Sequence, residues 1–341
     1  MAHEGLHQFY KNNRRAILSG FVILFVSIAS ANIFFGIYLR GEVPKTILPY
    51  GLVGVFSWLI LFGLASISSV IMHHEFTTKK RTTYFVVILG LMEGFLTNVS
   101  LLSRGMILNS SAMAYVVFKS LNFNTIKTSF RFWIVTSTLF VVLFGSSVAI
   151  VNSLRAGNSL EYANYQNMYR SVTGNSYMAT PLFLDRWVGI EGVMAVASYP
   201  GKGWKLWSDA WHEDYSYNKA SFYDKNIITS PYVHADLKRH HYISLPGILA
   251  FCFYPGSLPF LFTCMFLLGV AAATTEVSVY RTGGGNLILC ALLAQVVAYR
   301  YANYGYVPGQ SYLLFGALFL NVLVIYNANK FLMYKYSQTA E

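Results

Sequence analysis

Charge is what this sequence has least of. Only 11% of its 341 residues are Asp, Glu, Lys or Arg, against 55% hydrophobic and 17% aromatic. So little charge cannot cover a soluble globule of this length, which excludes the ordinary soluble classes. Acids are scarcer than bases, 14 against 25. On a lipid-like chain the resulting net charge of +11 points to anionic lipid or an anionic lipid-linked substrate, not to nucleic acid. The three cysteines, Cys252, Cys264 and Cys290, lie in or beside apolar blocks without metal-ligand spacing and read as small buried hydrophobes. No Walker A loop, dinucleotide-binding glycine pattern, HExxH or nucleophile elbow is present, so no cofactor or metal is expected.

What is abundant is long apolar blocks. Clear ones run near 16–39, 48–72, 132–152, 258–279, 286–303 and 311–329. Each matches the roughly 20 residues needed to cross a hydrocarbon core about 30 Å thick, and in lipid each must be a helix. The first block is too long for a signal-peptide core and is expected to stay as a span. The block from 83 to 118 is too long for one span and carries Ser103, Arg104 and Gly105 near its middle. It reads as two spans, 83–101 and 104–118, joined by a tight turn. With eight spans, the basic segments at Lys11, Arg14 and Arg15, at Lys79, Lys80 and Arg81, at Lys119, Lys127 and Arg131, at Arg281, and at Lys330 and Lys335 all fall on the cytoplasmic face. With seven, the middle ones fall on opposite faces. The expectation is therefore an all-α integral membrane protein with about eight transmembrane helices and both termini cytoplasmic. Helices one to five occupy 1–152, and an extracytoplasmic loop or cap with a re-entrant segment occupies 153–257. Helices six to eight occupy 258–341. Pro246, Pro255 and Pro259 break the chain before the sixth span and predict a short helix there.

Three arginines fall on the outer face: Arg104 in the turn, Arg186 in the loop and Arg300 near the end of the seventh span. A guanidinium matches phosphate oxygens with two parallel hydrogen bonds, so the trio fits a pyrophosphate at the membrane surface. The blander reading is interfacial anchors, or for Arg186 a pair with Asp185. Glu191 follows Arg186 by five residues, which on a helix turns the two side chains about 140° apart. They would face different parts of one pocket, where a shielded carboxylate can serve as a general base. The alternative is a solvated loop glutamate. His240 and His241 precede the proline-rich segment, and one of them can take a proton from a hydroxyl; plain surface histidines are the competing reading. Glu93 and Glu276 lie within spans three and six. Intramembrane carboxylates are functional candidates by default, although Glu276 reads as a surface partner of nearby Arg281. The loop is rich in rings, among them Trp187, Trp204, Trp207, Trp211 and Tyr223, with Tyr254 in its re-entrant segment. Such rings stack on sugar faces or form a cap's core.

The stretches "SLLSRGMIL", "DRWVGIEGVMAVASYPGKGW", "SFYDK", "LPGILAFCFYPGS" and "AYRYANYGYVPGQSY" together resemble bacterial oligosaccharide repeat-unit polymerases of the O-antigen polymerase type, over roughly residues 90–315. The resemblance implies an inner-membrane glycosyltransferase of the GT-C type that joins glycan units carried on undecaprenyl pyrophosphate at the periplasmic face. Eight spans are fewer than the ten or more usual in that family. It further implies that Arg104, Arg186 and Arg300 hold the pyrophosphate of the donor. Glu191 or His241 would then deprotonate the acceptor, with Trp187, Trp204, Tyr223 and Tyr254 against sugar. The implied partners are the lipid-linked donor and acceptor, membrane lipid, and a chain-length regulator or other polysaccharide-assembly proteins. A transporter or flippase of an anionic lipid-linked solute, or a glycan ligase, would use the same arginines.

Overall fold

The computed structural model describes residues 4–40, 42–79, 84–103, 109, 113, 116, 130–157, 188–213, 220–228, 246–297 and 308–338. Among these the chain is helical, with no strand. The helices are α1 (Glu4–Phe35), α2 (Leu52–Trp58), α3 (Leu64–Lys79), α4 (Tyr84–Ser100), α5 (Phe130–Gly157), α6 (Val188–Ser198), α7 (Trp204–Trp211), α8 (Phe222–Asn226), α9 (Ile248–Cys252), α10 (Leu258–Thr282), α11 (Leu287–Gln295) and α12 (Pro308–Gln338). A π turn, Leu59–Gly63, joins α2 to α3 without a break. Among the described residues, five helical segments are long and apolar enough to cross a membrane: His7–Phe35, Leu52–Phe76, Phe130–Val151, Leu258–Thr282 and Leu314–Leu332. Helix α4 is apolar but shorter. The expected span 104–118 is described only at Asn109, Met113 and Val116.

The bundle forms because apolar faces of the helices cover one another: α3 is covered nearly all round, whereas α5 and α10 leave most of their surface outside. α1 packs against α3, α4 and α12, α4 against α5, and α11 against α3 and α10. Phe21, Phe25, Leu64, Met72, Leu91, Leu289 and Leu292 belong to the shared core. On the outside, Phe34, Phe130, Phe262, Phe266 and Phe319 remain exposed, as a lipid-facing surface requires.

Polar side chains inside the bundle work as interhelical pegs. Asn321 of α12 donates to Ser66 Oγ of α3 at 2.9 Å. Asn286 caps α11 by accepting from the Ile288 and Leu289 amides, and its own amide nitrogen reaches the Ser69 carbonyl at 3.3 Å. At the basic end, Arg14 grips Glu75 with two hydrogen bonds of 2.8 and 2.7 Å, and Tyr10 donates to the same carboxylate at 2.8 Å. This brings the start of α1 and the end of α3 to one end of the bundle, as the positive-inside pattern requires. The Tyr84 and Phe132 rings, 4.7 Å apart, join the starts of α4 and α5.

A second, smaller core lies at the head of α10. Val196 of α6, Ala210 of α7, Tyr223 of α8, and Ile248, Phe251 and Cys252 of α9 pack with Leu261, Cys264 and Met265 of α10. This cap draws parts of residues 188–213, 220–228 and 246–257 onto the first turns of a membrane-length helix. Its short helix α9 stands where the prolines predict one. Pro246 precedes it, Pro255 follows it, and Pro259 sits in the first turn of α10, where a missing N–H does no harm.

Candidate functional site

Two structures converge on the end of the bundle opposite the Arg14–Glu75 clamp. The first is the turn that closes α4. Leu102 takes a left-handed φ of 51°, and the Ser103 amide reaches back to the Asn98 carbonyl at 3.0 Å. A glycine normally takes the left-handed residue of such a C-terminal wrap. Here a leucine does so; Gly105 lies outside the described residues. The turn is held from below by Asn32, which is fully buried and makes three hydrogen bonds to two backbone segments. It donates to the Ser100 carbonyl at 2.8 Å and the Tyr38 carbonyl at 2.9 Å, and accepts from the Tyr38 amide. The Arg40 amide then donates to the Leu101 carbonyl at 3.0 Å. Arg40, which the sequence reading did not single out, is thus tied by its backbone to the turn that Arg104 directly follows. Deeper in the bundle, Gln295 of α11 donates to Asn109 Oδ1 at 2.8 Å. Asn109 stands five residues after Arg104, and Gln295 five before Arg300. Arg104, Arg186, Arg300, Trp187, His240 and His241 all lie outside the described residues.

The second structure is the cap, and it is where Glu191 is found. Glu191 lies in the first turn of α6, exposed, where the helix dipole favours a carboxylate. The next residue, Gly192, has no room for a side chain: a Cβ there would meet the Pro246 backbone, 2.6 Å from its Cα and 2.5 Å from its carbonyl carbon. Gly192 therefore seats α6 directly on the Pro246–Gly247 corner that starts α9, and this contact sets where Glu191 stands. Gly247 makes the corner itself, at φ 81°.

The cap holds two further carboxylates. Glu213 accepts from the Phe222 amide at 2.6 Å, and its half-buried position raises its pKa above the usual carboxylate range. Asp224 is fully buried and accepts from Ser221 Oγ at 2.6 Å, while Ser221 Oγ caps α8 by accepting from the Asp224 amide. The Tyr223 hydroxyl is pushed up to about 12 by burial, and then by the charges of Asp224 and Glu191. The last influence places Glu191 within electrostatic reach of the cap interior. Tyr254 is pushed up as well, chiefly by burial. Glu213 and Asp224 were not singled out from sequence. A signal existed for Asp224: "SFYD" is a Ser-x-x-acid capping pattern. None existed for Glu213, whose partner is a backbone amide nine residues away.

The rings divide into two groups. Tyr254 is 1% exposed and stands 5.3 Å from Phe251 and 6.4 Å from Phe222, centroid to centroid. Tyr223 is likewise buried. Their faces are occupied by the cap's own packing. Trp204 and Trp211 of α7 are exposed. In the bundle, Glu93 is buried and accepts from Thr97 Oγ1 at 3.0 Å, one turn along α4, whereas Glu276 is exposed on α10. Among the described residues no group of three His, Cys, Asp or Glu side chains is arranged to hold a metal ion.

Chemically, this arrangement sets carboxylates at the head of a membrane-length helix, on a cap seated by backbone contact. No known protein family, curated protein or solved structure matches the chain.

Proposed function

We propose that this protein is a membrane glycosyltransferase that polymerises oligosaccharide repeat units carried on lipid pyrophosphate, as its resemblance to O-antigen polymerases implies. In this reading it has eight spans, a GT-C-like arrangement and a place in the bacterial inner membrane with both termini cytoplasmic. The observation that supports it most is Glu191, displayed on a helix whose position is fixed by the Gly192–Pro246 contact, in a cap built onto the head of a membrane-length helix. A base for a lipid-linked substrate belongs at that place, beside the membrane and not above it.

The chain growing on its lipid is the donor. Arg104, Arg186 and Arg300 hold its pyrophosphate and stabilise the negative charge that develops as the C1–O bond breaks. The acceptor hydroxyl attacks C1 from the opposite face and inverts it, giving up its proton to Glu191 or to His241. Trp187, four residues before Glu191, meets the acceptor sugar. Purified protein in proteoliposomes, given lipid-pyrophosphate-linked repeat units, is expected to produce a ladder of lengthened lipid-linked products. A transporter or flippase would move the substrate across the bilayer and leave its length unchanged. A ligase would transfer the glycan only when a second lipid acceptor is added.

A further inference from the structure

The exposed surface of α7 has an occupant that the catalytic reading does not require. We infer that α7 lies in the outer membrane interface, with Trp204 and Trp211 seated among lipid headgroups and upper acyl chains, so that the cap is embedded at its edge in the leaflet.

Three observations carry this. First, α7 is two-faced. Trp204, Trp207 and Trp211 recur at three- and four-residue spacing on one stripe, while Lys205 and Asp209 lie on the opposite side and are exposed. Second, the stripe meets the first turn of a membrane-length helix. The Trp204 ring stands edge-on to Phe260, 5.0 Å away, in the first turn of α10. Leu258 and Phe262, in the first two turns of the same helix, are 57% and 71% exposed, and Trp204 itself is 57% exposed. Glycan hydroxyls find no partner on such a band, whereas acyl chains match it. Third, α7 cannot swing away from α10. The Gly203 amide donates to the Tyr254 carbonyl at 3.0 Å, and Lys202 Nζ donates to the Ala197 and Tyr199 carbonyls at 2.6 and 2.8 Å, pinning the α6–α7 turn. The 25 residues of α10 rise about 37 Å, more than the roughly 30 Å hydrocarbon core, so its first turn reaches headgroup level even when the helix is tilted. Indole rings prefer that level, with an apolar body in the chains and an N–H toward the headgroups.

This assignment moves Trp204 from sugar to lipid and does not rest on the chemistry proposed above. The test is fluorescence quenching of the full chain in proteoliposomes, comparing wild type with Trp204→Phe and, separately, Trp211→Phe. Quenchers are bilayer phosphatidylcholine brominated near the top of the acyl chains, and aqueous iodide. Each substitution is expected to remove about one tryptophan's share of the bromolipid-quenchable emission and leave the iodide-quenchable emission unchanged. Loss of the iodide-quenchable share instead would place the stripe in water and overturn the inference. Loss of emission that neither agent quenches would place it under protein, such as a second copy, and would overturn it equally. Phenylalanine preserves an apolar ring at both positions, and agreement between the two variants guards against a folding defect in one.

Discussion

Gly192→Ala adds one methyl group at the point on which the cap's geometry depends most. Its Cβ would stand 2.5 Å from the Pro246 carbonyl carbon and 2.6 Å from its Cα, and nearer still to the carbonyl oxygen. Ordinary contact begins at 3.4 Å, so α6 and the 246–247 corner must part by about 1 Å or more. No rotamer change relieves the clash, because every atom it meets is backbone. Overpacking of this kind costs about 1–3 kcal/mol, and a backbone-only clash belongs at the upper end. Cys252, buried on α9 at the far side of this contact, is a built-in reporter. If the cap opens locally before Cys252 reacts, a loss near 3 kcal/mol raises its maleimide labelling rate about a hundredfold. Labelling would be followed at the Cys252 peptide by mass spectrometry. Gly203→Ala is the control: its φ of 167° is extended backbone and no atom lies within 4 Å of its Cβ position, so it should label like wild type. Equal labelling of the two variants would refute the claim that α6 is seated on Pro246.

Other outcomes follow from the same geometry. Arg14→Ala leaves the Glu75 carboxylate, 1% exposed, without its bidentate partner, and should destabilise the bundle by about 3–5 kcal/mol in detergent unfolding; an unchanged midpoint would mean the clamp is redundant. Glu213→Gln tests the cap's pH dependence. Burial raises the folded carboxyl's pKa, so the cap loses stability as pH rises from the usual glutamate range through the raised value. The amide keeps an acceptor for Phe222, so the variant should be the more protease-resistant protein at neutral pH and lose that slope; a retained slope would place its origin elsewhere. Arg186→Lys keeps charge but loses the planar fork, and should shorten product chains at normal protein level, each lost contact being worth roughly 1.5–3 kcal/mol, or about ten- to a hundredfold in rate. Wild-type chain length would return Arg186 to a structural role. Glu191→Gln should bind substrate normally and elongate it about a hundredfold more slowly; unchanged elongation would pass the base to His241, tested by His241→Gln.

Hydropathy made the helices legible but not their ends. The block at 16–39 belongs to a helical stretch that begins at Glu4 and kinks at Asn13, because the polar turn carrying Tyr10 and Arg14 is held by Glu75, 65 and 61 residues away in sequence. The block at 48–72 runs on to Lys79 for the same reason. The proline pattern located α9 because proline acts through local backbone geometry. The cap's interior was hidden. Asp224 and Glu213 are held by a serine and a backbone amide, partners that leave almost no mark on a sequence. The rings looked alike in the sequence, and only packing separates the buried Tyr223 and Tyr254 from the exposed Trp204 and Trp211.

All of the proposed chemistry requires the cap to stand on the extracytoplasmic side, with the Arg14–Glu75 end in the cytoplasm. Membrane-impermeant maleimide applied to intact spheroplasts measures this directly, in chains whose three native cysteines are replaced by alanine. Lys225→Cys, exposed on α8, should be labelled in intact spheroplasts, and Lys11→Cys, exposed at the start of α1, only after lysis. The reverse pattern would put Glu191 on the cytoplasmic face, away from any periplasmic lipid-linked glycan, and would contradict the account.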